Sequence, residues 1–170
     1  MKPTLLITRP LPDAVVNAAH THFDVTLRTA TTPLSPEDLR AALRDFDAVL
    51  PTLGDRFDAG VFAVSPQPRS KILANFGVGY NHIDVHAATA AGIAVSNTPG
   101  AVTDATADIA LMLILMTARR AGEGERMVRA GGWQGWHPTQ LLGTHVTGAT
   151  VGIIGMGRIG QAIARRCHFG

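Results

Sequence analysis

The run Gly155-Met156-Gly157-Arg158-Ile159-Gly160 limits the fold of this chain more than any other feature. Residues 149–154 before it are apolar and read as a buried parallel strand. Residues 161–166 after it read as a helix. Glycines at this spacing between a strand and a helix form the turn of a dinucleotide-binding unit. Gly155 permits the tight turn, Gly157 lets the backbone approach a pyrophosphate, and Gly160 lets the helix pack close to the strand. The alternative is a glycine-rich turn that merely packs tightly. Arg158 argues against it, because a cation in the first turn of a helix opposes the macrodipole. A bound phosphate removes that conflict. Gly155, Gly157, Arg158, Ile159 and Gly160 are therefore the candidate cofactor-binding set. The acidic residue that would separate NAD from NADP belongs about 20 residues further on, so both cofactors stay open.

Upstream, strand and helix signals alternate. Residues 4–8, 23–27, 47–50, 71–75 and 93–95 read as strands, and 12–20 as a helix. Ser35-Pro36-Glu37 opens another helix, with Ser35 as N-cap and Pro36 in the first helical position. Leu39, Ala42 and Leu43 share one face of it. The alternation predicts an α/β fold, a parallel sheet covered by helices. The expected arrangement is a flavodoxin-like domain over 1–100, followed over 101–170 by the first, incomplete part of a Rossmann domain. A phosphoacceptor receiver domain shares this order but needs acidic residues at the end of its first strand. That strand ends Thr8-Arg9-Pro10.

Residues 103–120 predict one long helix, capped by Thr103-Asp104, whose middle (109–116) is apolar all round. Such a helix must be covered on most sides. A missing remainder or an extensive partner interface would supply the cover. A short helix over 123–129 and an extended, glycine-rich arm with Trp133 and Trp136 follow. Large aromatics on an irregular arm point to an interface or a pocket. The expected dimerisation arm spans about 120–148.

Composition narrows the partners. Hydrophobic residues make up 46% and charged residues 16%, which suits a core-forming globular chain. The net charge of +2 comes with no basic stripe and no interleaved aromatics, so nucleic-acid binding has no support. The single cysteine, Cys167, rules out an intramolecular disulfide and fits a reducing cytoplasm. No apolar stretch approaches the roughly 20 residues a membrane span needs. His82-x-Asp84-x-His86 carries ligand-type residues, yet the local sequence suggests a loop entering a helix and no fourth ligand accompanies them. Ser96 and Ser70 have no evident base partner, so nucleophilic catalysis is unsupported.

Four pieces stand in fixed order: Asn75-Phe76-Gly77-Val78-Gly79-Tyr80-Asn81-His82-Ile83-Asp84, Asn97-Thr98-Pro99-Gly100, Thr103-Asp104-Ala105-Thr106-Ala107-Asp108, and the glycine run. Together they resemble the D-isomer-specific 2-hydroxyacid dehydrogenases, from about Thr4 to Gly170. The stretch Trp133-Gln134-Gly135-Trp136-His137-Pro138 is most similar to the glyoxylate/hydroxypyruvate reductase branch. The resemblance implies hydride transfer from NADH or NADPH to a small 2-keto acid in a homodimer. It implies that backbone amides at Val78 and Gly79 hold the substrate carboxylate and that Leu53 lines the substrate pocket. Thr106 would contact the nicotinamide side, and Trp136 would reach the neighbouring subunit's active site. Plainer roles stand beside these: a strand-to-helix turn, a surface apolar residue, a helix threonine bonded to its own backbone, and dimer packing. Successive amides freed by Gly77 and Gly79 also suit an anion-binding nest on physical grounds.

The family's Arg, Glu and His, which bind the keto acid, orient the acid and protonate it, follow the glycine run by many residues. No residue here takes those roles, and no catalytic residue is named. The expectation is an N-terminal half, inactive and prone to aggregate by itself. A non-catalytic nucleotide-sensing or dimerisation module on the same scaffold, or an inactive truncated product, is the alternative.

Overall fold

The computed structural model describes residues 1–169. Five short strands form one all-parallel sheet: β1 (Thr4–Ile7), β2 (Asp24–Leu27), β3 (Ala48–Leu50), β4 (Ile72–Ala74) and β5 (Ala94–Ser96). Their order, β2-β1-β3-β4-β5, is the flavodoxin-like one. Helices α1 (Asp13–His22), α2 (Pro36–Asp45), α3 (Ala59–Ala63) and α4 (Val85–Ala90) are interleaved with the strands. The predicted α/β class holds.

Side-chain alternation explains why the sheet is stable. On β1, Leu6 enters one core with Leu43, Val49, Phe57, Leu73 and Ile93. Its neighbours Leu5 and Ile7 enter a second core with Ala48, Val16 and Phe23. Successive strand residues point to opposite faces, so both faces of the sheet are buried. Helix α2 forms as its sequence predicts. The Ser35 hydroxyl accepts from the Asp38 amide at 3.1 Å, and the Asp38 carboxylate accepts from the Ser35 amide at 3.3 Å. This capping box satisfies amides that the first turn leaves open. Leu39, Ala42 and Leu43 are buried together. At the amino-terminal end of the sheet, the Asp47 carboxylate accepts from the Thr4 amide (2.8 Å) and from the Arg69 guanidinium (2.8 and 2.9 Å). These contacts, the Arg69 pair first, hold its carboxyl well below the usual range.

The chain divides into two compact units, Met1–Pro99 and the residues from Gly100 on. The second contains α5 (Thr103–Ala118), α6 (Ala121–Arg129) and α7 (Arg158–Phe169). Two expectations fail here. Thr103 is not the N-cap of α5; Val102 occupies that position and no side chain caps the helix. Residues 149–154 form no strand, and Val151 and Ile154 are exposed. A strand exists only through a neighbour that takes its backbone hydrogen bonds. Among the described residues of this unit there is none. On α5, Ala107 is buried while Ile109, Met112, Leu113, Leu115 and Met116 are exposed. Among the described residues no helix is long and apolar enough to cross a membrane.

Candidate functional site

Parallel strands bring their carboxyl ends to one edge, where open α/β sheets bind ligands. In Met1–Pro99 that edge carries the residues that follow β1, β3, β4 and β5. Loop 75–79 after β4 is the most constrained of them. The Asn75 side chain, 2% exposed, donates from Nδ2 to the Gly77 carbonyl at 3.1 Å and to the Gly79 carbonyl at 2.9 Å. Its Oδ1 meets His82 Nε2 at 3.0 Å. Because Nδ2 is the donor of that amide, Oδ1 accepts, and His82 carries its hydrogen on Nε2. Burial lowers the His82 pKa, against the opposing pull of the Asp55 charge. The Thr98 amide donates to Gly77 at 3.0 Å, and Asn97 Nδ2 donates to the Val78 carbonyl at 2.8 Å. All three carbonyls of 77–79 are thus occupied. The Val78 and Gly79 amides meet no acceptor among the described residues. Adjacent unpaired amides at a strand's carboxyl end can receive an anion.

Leu53 lies over this loop. A Cβ built on Gly77 would sit 3.5 Å from Leu53 Cδ2, and one on Gly79 would sit 4.0 Å from it. The Leu53 side chain is 64% exposed, so an apolar surface flanks the open amides. A buried carboxylate holds the loop that carries Leu53. Asp55 is fully buried and accepts from Thr8 Oγ1 (2.5 Å), Arg9 Nη2 (3.1 Å), the Leu34 amide (3.1 Å) and the Thr52 amide (3.2 Å). The Arg9 guanidinium also meets the Thr52 hydroxyl. An ionised, buried carboxylate is stable only with such compensation.

Asn75, Asn97, Asp55 and Arg9 stand outside the sequence-predicted site. Asn75 and Asn97 flank the glycine loop in the same motif pieces, which was the available signal. For Asp55 and Arg9, 46 residues apart, the sequence carries none. The His82-x-Asp84-x-His86 group is dispersed. Asp84 Oδ1 caps α4 by accepting from the Ala87 amide at 2.9 Å, and His82 serves Asn75. Among the described residues, no group of His, Cys, Asp and Glu is placed to hold a metal ion.

The second unit carries the glycine turn. Gly155 has φ +93°, a conformation that side chains disfavour. A Cβ on Gly160 would overlap the Gly155 carbonyl oxygen, whereas one on Gly157 meets nothing within 4 Å. Helix α7 starts at Arg158, and its first bond runs from the Gln161 amide to the Gly157 carbonyl at 2.9 Å. The Arg158, Ile159 and Gly160 amides precede that bond and remain open. Arg158 is exposed and makes no ion pair among the described residues. Closely packed glycines at 155 and 160, open space at 157 and free amides fit a dinucleotide pyrophosphate. Helix α7 is held to α5 by Arg166, which pairs with Asp108 (2.5 Å) and Asp104 (3.1 Å). Thr106 is exposed on α5. The arm returns to the end of α5, where the Thr144 amide donates to the Ala118 carbonyl at 2.7 Å. Trp133 bonds Gln140 at 3.3 Å and is 55% exposed, and Trp136 is 79% exposed.

Known proteins resemble the chain over nearly its whole length. The pattern of the D-isomer specific 2-hydroxyacid dehydrogenase catalytic domain matches residues 5–166. A glyoxylate reductase of Thermococcus onnurineus is 46% identical over 98% of this chain and 50% of its own length. A glycerate dehydrogenase of Hyphomicrobium methylovorum is 40% identical over 98% of this chain and 52% of its own. The crystal structure of an NADPH-dependent glyoxylate/hydroxypyruvate reductase from Sinorhizobium meliloti, in complex with NADP and malonate, superposes with a TM-score of 0.79. It is 32% identical and covers 99% of this chain and 51% of its own. The chain spans about half the length of the curated relatives it matches. With its sheet order and with residues 5–166 matched, the chain belongs to the D-isomer specific 2-hydroxyacid dehydrogenase family.

Proposed function

We propose that the enzyme carrying this sequence reduces a small 2-keto acid, such as glyoxylate or hydroxypyruvate, at the expense of NADH or NADPH. The observation that carries the reading is the pair of open amides at Val78 and Gly79 beside the exposed Leu53. The amides would hold the substrate carboxylate, and Leu53 would limit the size of the group next to it. Met1–Pro99 is then the substrate domain and the unit from Gly100 on the start of the cofactor domain. The Gly155–Gly160 turn would take the pyrophosphate, with the Arg158 and Ile159 amides as donors, and Thr106 would lie on the nicotinamide side. A reduced nicotinamide, when bound, supplies the hydride that the keto carbon accepts. The family's Arg, Glu and His have no match among these residues, and no catalytic residue is named.

The exposed apolar surface of α5 and the tryptophan arm favour a homodimer, with Trp136 reaching towards the partner's site. A cytoplasmic setting suits the cysteine usage. The same surface favours a second reading, a non-catalytic nucleotide-binding dimerisation module. NAD(P)H oxidation with glyoxylate and with hydroxypyruvate by the protein isolated from its source decides between them. Oxidation with either acid supports the reductase. Nucleotide binding without oxidation supports the module.

A further inference from the structure

The open amides at Val78 and Gly79 have a cause in two side chains that touch no ligand. In a trans peptide the carbonyl of one residue and the amide of the next point in opposite directions. Fixing the Gly77 carbonyl therefore fixes the Val78 amide, and fixing the Val78 carbonyl fixes the Gly79 amide. Asn75 Nδ2 holds the Gly77 carbonyl at 3.1 Å. Asn97 Nδ2 holds the Val78 carbonyl at 2.8 Å. Glycines at 77 and 79 leave the backbone free to turn either way. The Thr98 amide also holds the Gly77 carbonyl, at 3.0 Å, so Asn75 reinforces the first plane, whereas without Asn97 the second could rotate and present a carbonyl, which repels a carboxylate.

We propose that Asn75 and Asn97 are positioning residues: their amides pull the Gly77 and Val78 carbonyls inward and so aim the Val78 and Gly79 amides at the substrate carboxylate. The proposal rests on the reading of those amides as the carboxylate site. It adds that the site's charge preference is set from behind, by side chains that directly follow β4 and β5. Asn75 is itself anchored by His82, whose Nε2–H donates to Oδ1 at 3.0 Å. The cradle is therefore rigid before any ligand arrives, which limits the ordering cost of binding.

Amide ¹H–¹⁵N spectra of the chain, titrated with glyoxylate, test this. In the wild type the Val78 and Gly79 resonances shift with saturation. Asn97→Ala weakens glyoxylate binding about 10-fold, on the scale of a lost hydrogen bond to a charged group, and Asn75→Ala weakens it as well. Neither variant alters binding of NADH at the glycine turn. Asn97→Asp supplies the readout that a packing role would not move. Its carboxylate faces the Val78 carbonyl and binding is lost at neutral pH. As the pH falls and the carboxyl gains a proton it can donate again, and binding returns, whereas Asn97→Ala stays weak. Asn97 is only partly buried, so its variants keep the fold if Asn75→Ala does not. Unchanged glyoxylate affinity in Asn97→Ala and Asn97→Asp, with the wild-type shifts present, overturns the positioning role alone. A wild type whose Val78 and Gly79 resonances ignore glyoxylate overturns the carboxylate site and the positioning role with it.

Discussion

In Met1–Pro99 every strand has a neighbour and both sheet faces are covered. From Gly100 on, the apolar helix α5 and the apolar segment 149–154 keep much of their surface exposed. The apolar runs of β1 and of 149–154 are alike in kind, yet only the first becomes a strand. The difference teaches that apolar β-type sequence sets a preference for extended backbone, while a strand needs a partner to receive its hydrogen bonds. It also separates two kinds of polar burial. The first unit holds Asp55 fully buried within a closed network, whereas the ion pairs of α7 with α5 lie at the surface.

That contrast can be broken most sharply at Asp55. Asp55→Ala strips Thr8, Arg9, Leu34 and Thr52 of their shared acceptor and leaves a largely buried guanidinium unpaired. A loss of about 3–5 kcal/mol is expected, the scale for breaking one side of a buried pair. Chemical denaturation measures it. A loss below about 1 kcal/mol, the range of surface pairs, would put this network in the same class as the Arg166 contacts. A smaller effect belongs to the glycine turn. Gly160→Ala sets a Cβ against the Gly155 carbonyl oxygen and should cost about 1–3 kcal/mol, as overpacking does. Thermal unfolding together with NADH titration reads it, and unchanged affinity would remove the turn from the cofactor site. On α5, Met112→Lys with Leu113→Glu should shift the chain towards monomer in sedimentation, with less than about 0.5 kcal/mol change in stability. An unchanged association state would show that this face is not the one that self-associates.

The smallest effect is a pH dependence in the first unit. Burial lowers the His82 pKa, so its folded-state value lies below its unfolded one. Its contribution is complete above the unfolded value of about 6.5 and declines as pH falls towards the lowered folded value, because only the unfolded chain takes up the proton. His82→Gln should flatten the stability of the first unit as pH falls below about 6.5, relative to wild type. Parallel curves for the two proteins would remove His82 from the linkage.

Much of this was legible in the sequence. The parallel α/β class followed from alternating strand and helix signals. The start of α2 followed from Ser35, Pro36 and Asp38, because capping is local chemistry between residues three apart. The glycine turn was legible because its geometry depends on residues 155–160, which are neighbours in the chain. Leu53, Val78 and Gly79 were marked by motif and are brought together in space, while their roles stay with the proposal above. Asp55 with Arg9 was invisible, and Asn97 was marked only by its motif and not as a partner of Val78, because each pair is joined only by the sheet order.

What the sequence determined alone is local: periodicity, caps, and glycines where backbone must turn or pack closely. The tertiary structure decided which extended segments became strands and which polar groups were buried in pairs. It also decided which way the peptides of 77–79 face. Those outcomes depend on partners distant in the chain, and hydrogen bonding, unlike intrinsic propensity, has no value until the partner is in place.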